Sequence, residues 1–209
     1  MTLGGPVVER AVKRAIDIIV SAAVLALSAP VLIAVAGLVR VLMGPGVLFR
    51  QARTGADRQP FDIIKLRTMV ERYDPSGRPL ADAERTHWFG TWLRRTSLDE
   101  LPTLLNVLKG EMSLVGPRPL HHYYLERYSQ DQLRRFTVKP GLTGWAQVQG
   151  RNAISWEKRF QYDLEYVERQ STRFDLKILV ATVSTVTSRS GADGVEPVSY
   201  THLTLPTTS

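Results

Sequence analysis

Asp99 and Glu100 are adjacent carboxylates in a block running Leu93–Pro119, LRRTSLDELPTLLNVLKGEMSLVGPRP. Arg94 and Arg95 lie just before them. Arg118 follows, held between Pro117 and Pro119. Flanking prolines stiffen the backbone, so that guanidinium is offered to an anion at low entropic cost. A carboxylate nucleophile beside arginines that grip phosphate suits covalent phosphoryl transfer. A pair of carboxylates also suits Mg2+, which binds through one or two carboxylates plus substrate phosphate.

The same residues have a purely structural reading. Ser97-Leu98-Asp99-Glu100 matches the S-x-x-E capping box. With Ser97 as N-cap, however, Pro102 falls at the fifth helical position and removes an intrahelical bond. With Asp99 as N-cap, Pro102 falls at the third, where the N–H is unpaired anyway. Asp99 as a simple N-cap is therefore the better structural alternative. Either way, a helix N-terminus carries positive partial charge and free N–H donors, which also favour phosphate.

These residues must be positioned by the rest of a chain of 209 residues, 44% hydrophobic and 22% charged. That is one domain, or one domain plus an anchor. No cysteine is present, which excludes a disulfide framework, a Cys-ligated zinc and a thiol nucleophile. The net charge is +7, and arginine outweighs lysine, which favours bidentate contacts to phosphates or anionic lipid heads. No zinc, RNP or helix-turn-helix pattern points to nucleic acid as partner.

Ile18–Val39 runs 22 residues without a charge, about 33 Å of helix at ~1.5 Å per residue. That is long enough for a membrane span. Pro30 lies in its middle, and basic residues flank both ends: Arg10, Lys13 and Arg14 before, Arg40, Arg50 and Arg53 after. Positive charge marks the cytoplasmic side. Both ends on one side imply a helix that dips in, breaks at Pro30 and returns, with Ser28 bonding a freed carbonyl. A signal peptide and a true span are the competing readings.

Further along, Val47–Gln51 and Phe61–Leu66 read as short strands around a polar loop. Helical spacing is expected at Leu101–Lys109, in residues 120–136 and 155–170, and at Leu176–Val186. Trp88 and Trp92 have helical spacing, which favours core packing over interfacial anchoring. Trp145 shapes a substrate loop or packs in the core. His121 and His122 are adjacent rather than spaced for one helix face, a poor metal pattern. The Thr-rich residues 198–209 carry no pattern.

TSLDELPTLLNVLKGEMSLVGPRPL, then KPGLTGWAQVQGRNAISWEKRFQYDLEYV, then FDLKIL, resemble the bacterial sugar transferases, monotopic polyprenyl-phosphate phosphoglycosyl transferases that begin glycan assembly. RQARTGADRQPFDIIKLRTM and the Lys13-Arg14…Asp17 start of the apolar stretch share the likeness, from about Val12 to Ser188. The resemblance implies transfer of a sugar 1-phosphate from a UDP-sugar to polyprenyl (undecaprenyl) phosphate with release of UMP. It casts Asp99 as nucleophile, Glu100 as partner acid and Arg118 as phosphate ligand, with Mg2+ as cofactor. It adds Arg151 as a phosphate contact and Asp163 as a residue near metal or nucleotide, where the structural alternative is an exposed helical acid beside Lys158 and Arg159.

The implied fold is α+β, mainly helical. A polar lead (1–11) precedes a re-entrant membrane hairpin (12–42) broken at Ser28-Ala29-Pro30. A compact interfacial catalytic domain (43–190) with a small strand element follows, and 191–209 form a disordered tail. Membrane phospholipids are expected partners and a homodimer is compatible with the reading. The expected location is the cytoplasmic face of a bacterial inner membrane. The rival from another class is a non-catalytic membrane scaffold of polysaccharide assembly, with Asp99 as a helix cap.

Overall fold

The computed structural model describes residues 7–150 and 154–187, with side chains to residue 184. Helix α1 covers Val7–Met43. Strands β1 (Leu48–Thr54) and β2 (Pro60–Leu66) form an antiparallel hairpin in which Leu48 faces Leu66 and Thr54 faces Pro60. After a long loop come α2 (Asp82–Arg85) and α3 (Trp88–Thr96), then a 3₁₀ segment, Leu98–Thr103, and α4 (Leu104–Lys109). A short parallel pair, β3 (Ser113–Val115) and β4 (Gly141–Thr143), brackets the α5 region (Gln130–Leu133). Helices α6 (Trp145–Gly150), α7 (Trp156–Arg169) and α8 (Thr172–Thr187) follow. The fold is thus largely helical with small two-stranded sheets, a mixed α/β catalytic region behind one long apolar helix.

The expected break at Pro30 does not occur, so the helix-break-helix hairpin is corrected to one continuous helix. Proline removes one donor and crowds the preceding turn, yet the helix runs on through it. Ser28 Oγ donates to Val24 O at 2.7 Å, not to the Ala26 carbonyl whose donor Pro30 removes. Beyond Pro30 the helix is held by burial of Val35, Val39 and Met43 against Leu66, Phe89 and Leu93. The helix also begins at Val7, upstream of the expected start at residue 12.

How α1 lies follows from its buried side. Lys13, Asp17, Ser21, Leu25, Leu32, Val35, Val39 and Met43 are buried or half-buried, with spacings that keep them on one face. Lys13 to Met43 is ~45 Å of helix at ~1.5 Å per residue. Lys13 Nζ pairs with Asp175 at 2.6 Å. Asp17 Oδ1 accepts from Leu114 N at 3.0 Å and Ser113 Oγ at 3.1 Å. Arg14 donates to Val107 O and Leu108 O, capping α4 at its carbonyl end. At the other end Arg67 donates to the carbonyls of Met43, Gly44 and Pro45, capping α1 itself. Both ends of α1 therefore dock on the catalytic region, while its apolar middle is mostly unburied and the helix is long and apolar enough, by length and composition, to cross a membrane.

The opposite face of α1 is apolar and open: Ile19, Leu27, Ile33 and Val41 are all well exposed. A large exposed apolar face of this kind supports association with a membrane. Trp88 and Trp92 join the exposed set rather than the core expected of them. Phe89 takes the buried position and stacks on Trp92 at 5.4 Å between centroids.

One other helical expectation shifts. Residues 120–136 are two 3₁₀ segments (His122–Arg127, Arg134–Thr137) around short α5, not one helix. Ser129 begins α5 with a true capping box to Gln132, after extended Tyr128 interrupts the turn before it. Residues 155–170 match α7, with Ser155 as N-cap. Trp145 packs against the main core, its ring 5.1 Å from that of Phe174, and donates to Glu165 at 2.8 Å.

Candidate active site

The 3₁₀ segment Leu98–Thr103 carries both carboxylates and is fixed from several sides. Ser97 turns the chain out of α3 in the left-handed region, φ 57°. Leu98 packs beside α1 and α3, and Leu101 beside the main core. Thr103 Oγ1 donates to Ile64 O at 2.8 Å. Asn106 on α4 accepts from Ile64 N and donates to Asp62 O, joining α4 to β2. These bonds place Lys65, on β2, against the segment.

Asp99 is not the helix cap of the structural alternative. It lies inside the 3₁₀ segment, whose N-terminal boundary is Ser97, and Ser97 makes no side-chain cap bond either. The 3₁₀ geometry also accommodates Pro102. Asp99 is 7% exposed, and its carboxylate makes no hydrogen bond among the described residues. Burial, with help from Glu100, pushes the Asp99 carboxyl up to about 6, against the pull of Lys65, Arg94 and Arg118. Its neighbour is in the opposite state. Glu100 Oε1 accepts from Lys65 Nζ at 2.5 Å and from Arg118 Nη2 at 3.0 Å. Burial raises the Glu100 carboxyl, but Arg118 and Lys65 outweigh it and hold it at about 2.

The expected cations are placed unequally. Arg118 projects to solvent from between buried Pro117 and Pro119 and reaches Glu100. Arg94 is held by Thr68 Oγ1 at 2.9 Å and acts electrostatically on Asp99. Its helix is set close to the Thr68 backbone by Gly90, where a Cβ would lie 1.8 Å from Thr68 O. Arg95 is exposed and makes no ion pair or hydrogen bond among the described residues. Arg151 lies outside the described residues. Asp163 is not the exposed acid of its structural alternative. It is buried on α7 and paired with Arg135 at 2.7 Å, and among the described residues it joins no cluster of acidic or His side chains that could hold a metal.

Lys65 escaped the sequence reading. Its signal was a lone charge in the apolar run Ile63-Ile64-Lys65-Leu66, which requires a partner when half-buried. Arg135 escaped as well, one arginine among many.

The donor set fits a Mg2+ shared with substrate phosphates. Among the described residues Asp99 has no hydrogen bond and Glu100 commits only Oε1, so hard oxygens remain for a cation. Among the described residues no cluster of three acidic or His side chains would hold an ion on protein ligands alone.

Among the described residues, Asp99 is thus a buried carboxylate without a hydrogen bond, beside a second carboxylate and three cations, in a chain that also carries the long apolar helix α1. The sequence model of the bacterial sugar transferases matches residues 8–189, and the chain belongs to that family. It is 46% identical over 179 residues to EpsL of Bacillus subtilis, described as an uncharacterized sugar transferase, covering 86% of this chain and 89% of EpsL. It is 41% identical to a UDP-glucose:undecaprenyl-phosphate glucose-1-phosphate transferase of Caulobacter vibrioides, covering 90% of this chain and 76% of that protein. An Escherichia coli protein of the same description is 43% identical, and there the match covers 84% of this chain but only 40% of the relative.

Proposed function

We propose that the chain transfers a sugar 1-phosphate from a UDP-sugar to polyprenyl (undecaprenyl) phosphate by a ping-pong route through Asp99. The observation that carries this reading is the state of Asp99: buried, unbonded and surrounded by Lys65, Arg94 and Arg118. An Asp99 oxygen attacks the sugar-bearing phosphorus of the donor. The bond from that phosphorus to the UMP oxygen breaks, and UMP leaves with the electron pair. An oxygen of polyprenyl phosphate then attacks the same phosphorus and displaces Asp99, forming the polyprenyl-diphosphate sugar. The two-step order lets UMP leave before the second anion enters a small site.

Each residue has a task in this scheme. Arg118 and Arg94 draw donor phosphates toward Asp99. Arg151, as in the family motif, is a further phosphate contact. Glu100, kept ionised by Lys65 and Arg118, stays a carboxylate throughout. Asp99 and Glu100 would hold Mg2+, which supplies charge neutralisation at the diphosphate when bound.

The anchor suits the acceptor. Exposing a polyprenyl tail costs about 0.8 kcal/mol per CH₂, so a site resting at the bilayer surface avoids extraction. The open face of α1 and the exposed Trp88 and Trp92 supply contact with phospholipids from one side. We place that side at the cytoplasmic leaflet of the bacterial inner membrane, in an early membrane step of exopolysaccharide or glycoconjugate synthesis. The scaffold alternative loses its main support, since Asp99 caps nothing.

The test is UMP release from a panel of UDP-sugars by purified protein with Mg2+ and polyprenyl phosphate. Sugar-selective release by wild type and none by Asp99→Asn is expected. Equal release by both would overturn the mechanism.

A further inference from the structure

Behind the Arg118 loop sits an ion pair that the scheme above does not use. Arg135 and Asp163 are 3% and 2% exposed, and Arg135 Nη2 donates to Asp163 Oδ2 at 2.7 Å. The same nitrogen donates to the backbone carbonyl of Arg118 at 2.7 Å. Arg135 Nη1 reaches the Tyr128 hydroxyl at 3.2 Å. The guanidinium carbon lies 5.4–5.8 Å from the ring centroids of Tyr128, Phe136 and Phe160. The arginine is therefore fixed in orientation by one carboxylate, one hydroxyl and three aromatic rings.

A buried ion pair is poor evidence for stability. Desolvation takes back most of the attraction, and apolar residues of similar shape often replace such a pair without loss. What this pair does, and apolar residues would not, is donate to the Arg118 carbonyl. The loop is otherwise tied at its two ends. Pro117 O accepts from Gly141 N at 2.9 Å, and Leu120 O accepts from Thr54 N at 3.1 Å. Among the described residues, Arg118, between two residues without N–H groups, has only the Arg135 bond to set its peptide plane. On its other side the Arg118 side chain reaches Glu100.

We infer that Asp163 and Arg135 form a positioning pair, in which Asp163 orients Arg135 and Arg135 pins the Arg118 carbonyl so that the Arg118 guanidinium stands at Glu100 and the donor phosphates. Asp163 thus acts two contacts away from the reaction rather than on a metal. The inference rests on the function proposed above for Arg118, and its test has an arm independent of that function.

The double variant Arg135→Met/Asp163→Leu leaves no unpaired buried charge and keeps a leucine isosteric with the aspartate. Three readouts are compared with wild type: thermal unfolding, hydrogen exchange of peptides covering residues 113–121, and UMP release in wild-type and Arg118→Ala backgrounds. The expected result is a retained cooperative unfolding transition and faster exchange confined to the Arg118 segment. UMP release should fall about 10²-fold, the scale of an ångström-level misplacement. In the Arg118→Ala background the same double change should cost no more than about twofold, the scatter within which uncoupled effects add. If the double variant fails to fold, Arg135→Lys, which keeps the charge pair but loses the fork that also reaches the Arg118 carbonyl, carries the same comparison. Equal losses in both backgrounds, or unchanged exchange at residues 113–121, would overturn the inference. Failure of wild type to release UMP would instead count against the proposed function, leaving the exchange arm to decide the positioning role.

Discussion

Asp99 and Glu100 are sequence neighbours held in opposite electrostatic states. Glu100 Oε1 is gripped by Lys65 at 2.5 Å and Arg118 at 3.0 Å, while Asp99 is more deeply buried and makes no hydrogen bond among the described residues. The cations that settle Glu100 also lie within electrostatic reach of Asp99 without bonding it. One carboxylate is thus paired with two cations, and the other is left without a partner bond among the described residues.

Asp99→Asn should be more stable than wild type above pH 6. The folded-state carboxyl sits at about 6, against about 3.9 for an unfolded aspartate. As pH rises from about 4 to 6, the unfolded chain ionises first, so the native state loses stability through this group. The full cost, on the order of 2–3 kcal/mol, is present above pH 6 and absent below about 4. Denaturant unfolding of both proteins in metal-free buffer should show curves that meet near pH 4 and separate by pH 7. A helix-cap role predicts little change for Asn, itself a good cap, and a loss of about 1 kcal/mol for Asp99→Ala.

Lys65→Met should impair turnover more than folding. The pair with Glu100 is partly exposed, so its loss costs about 1 kcal/mol of stability. Turnover should fall about 10–100-fold, the scale for removing a partner that orients a functional ligand. Steady-state UMP release alongside thermal unfolding checks the split. An unaltered rate would remove Lys65 from the site.

The two faces of α1 should respond differently to charge. Ile19 and Ile33 are 67% and 73% exposed. Replacing both with Glu should release the protein from membranes in a high-salt wash while changing stability little, within about 0.5 kcal/mol. Val39→Glu, at a fully buried position, should cost several kcal/mol and abolish folding. Flotation with liposomes and circular dichroism distinguish the outcomes.

His121 should make the fold acid-sensitive. Burial, with Arg53 nearby, lowers its imidazole to about 4. Its folded pKa is depressed, so as pH falls below about 6.5 the unfolded chain takes up the proton first. Stability is lost between about 6.5 and 4, and His121→Phe should flatten that part of the profile. An identical slope in both proteins would exclude His121 as the cause.

The sequence was most legible where local chemistry decides structure. Ser155 starts α7, Gly110 ends α4, and the hairpin strands lie close to where their apolar pattern puts them. The Asp99-Glu100 pair and Arg118 were legible because their residue types and proline setting carry the signal. What escaped was settled by contacts distant in sequence. Pro30 reads as a break, but burial of Val35, Val39 and Met43 keeps α1 whole. Trp88 and Trp92 read as core because spacing does not say which face is inward. Asp163 reads as an exposed acid or a metal neighbour until Arg135, 28 residues earlier, is found against it.

The most direct test of the central claim is capture of the covalent intermediate. Wild-type protein with Mg2+ and its UDP-sugar, without polyprenyl phosphate, should release about one UMP per enzyme and gain the mass of one sugar phosphate on the peptide containing Asp99. Asp99→Asn should do neither, and added polyprenyl phosphate should clear the adduct from wild type. UMP release that begins only when polyprenyl phosphate is present, with no adduct at any time, would contradict the account.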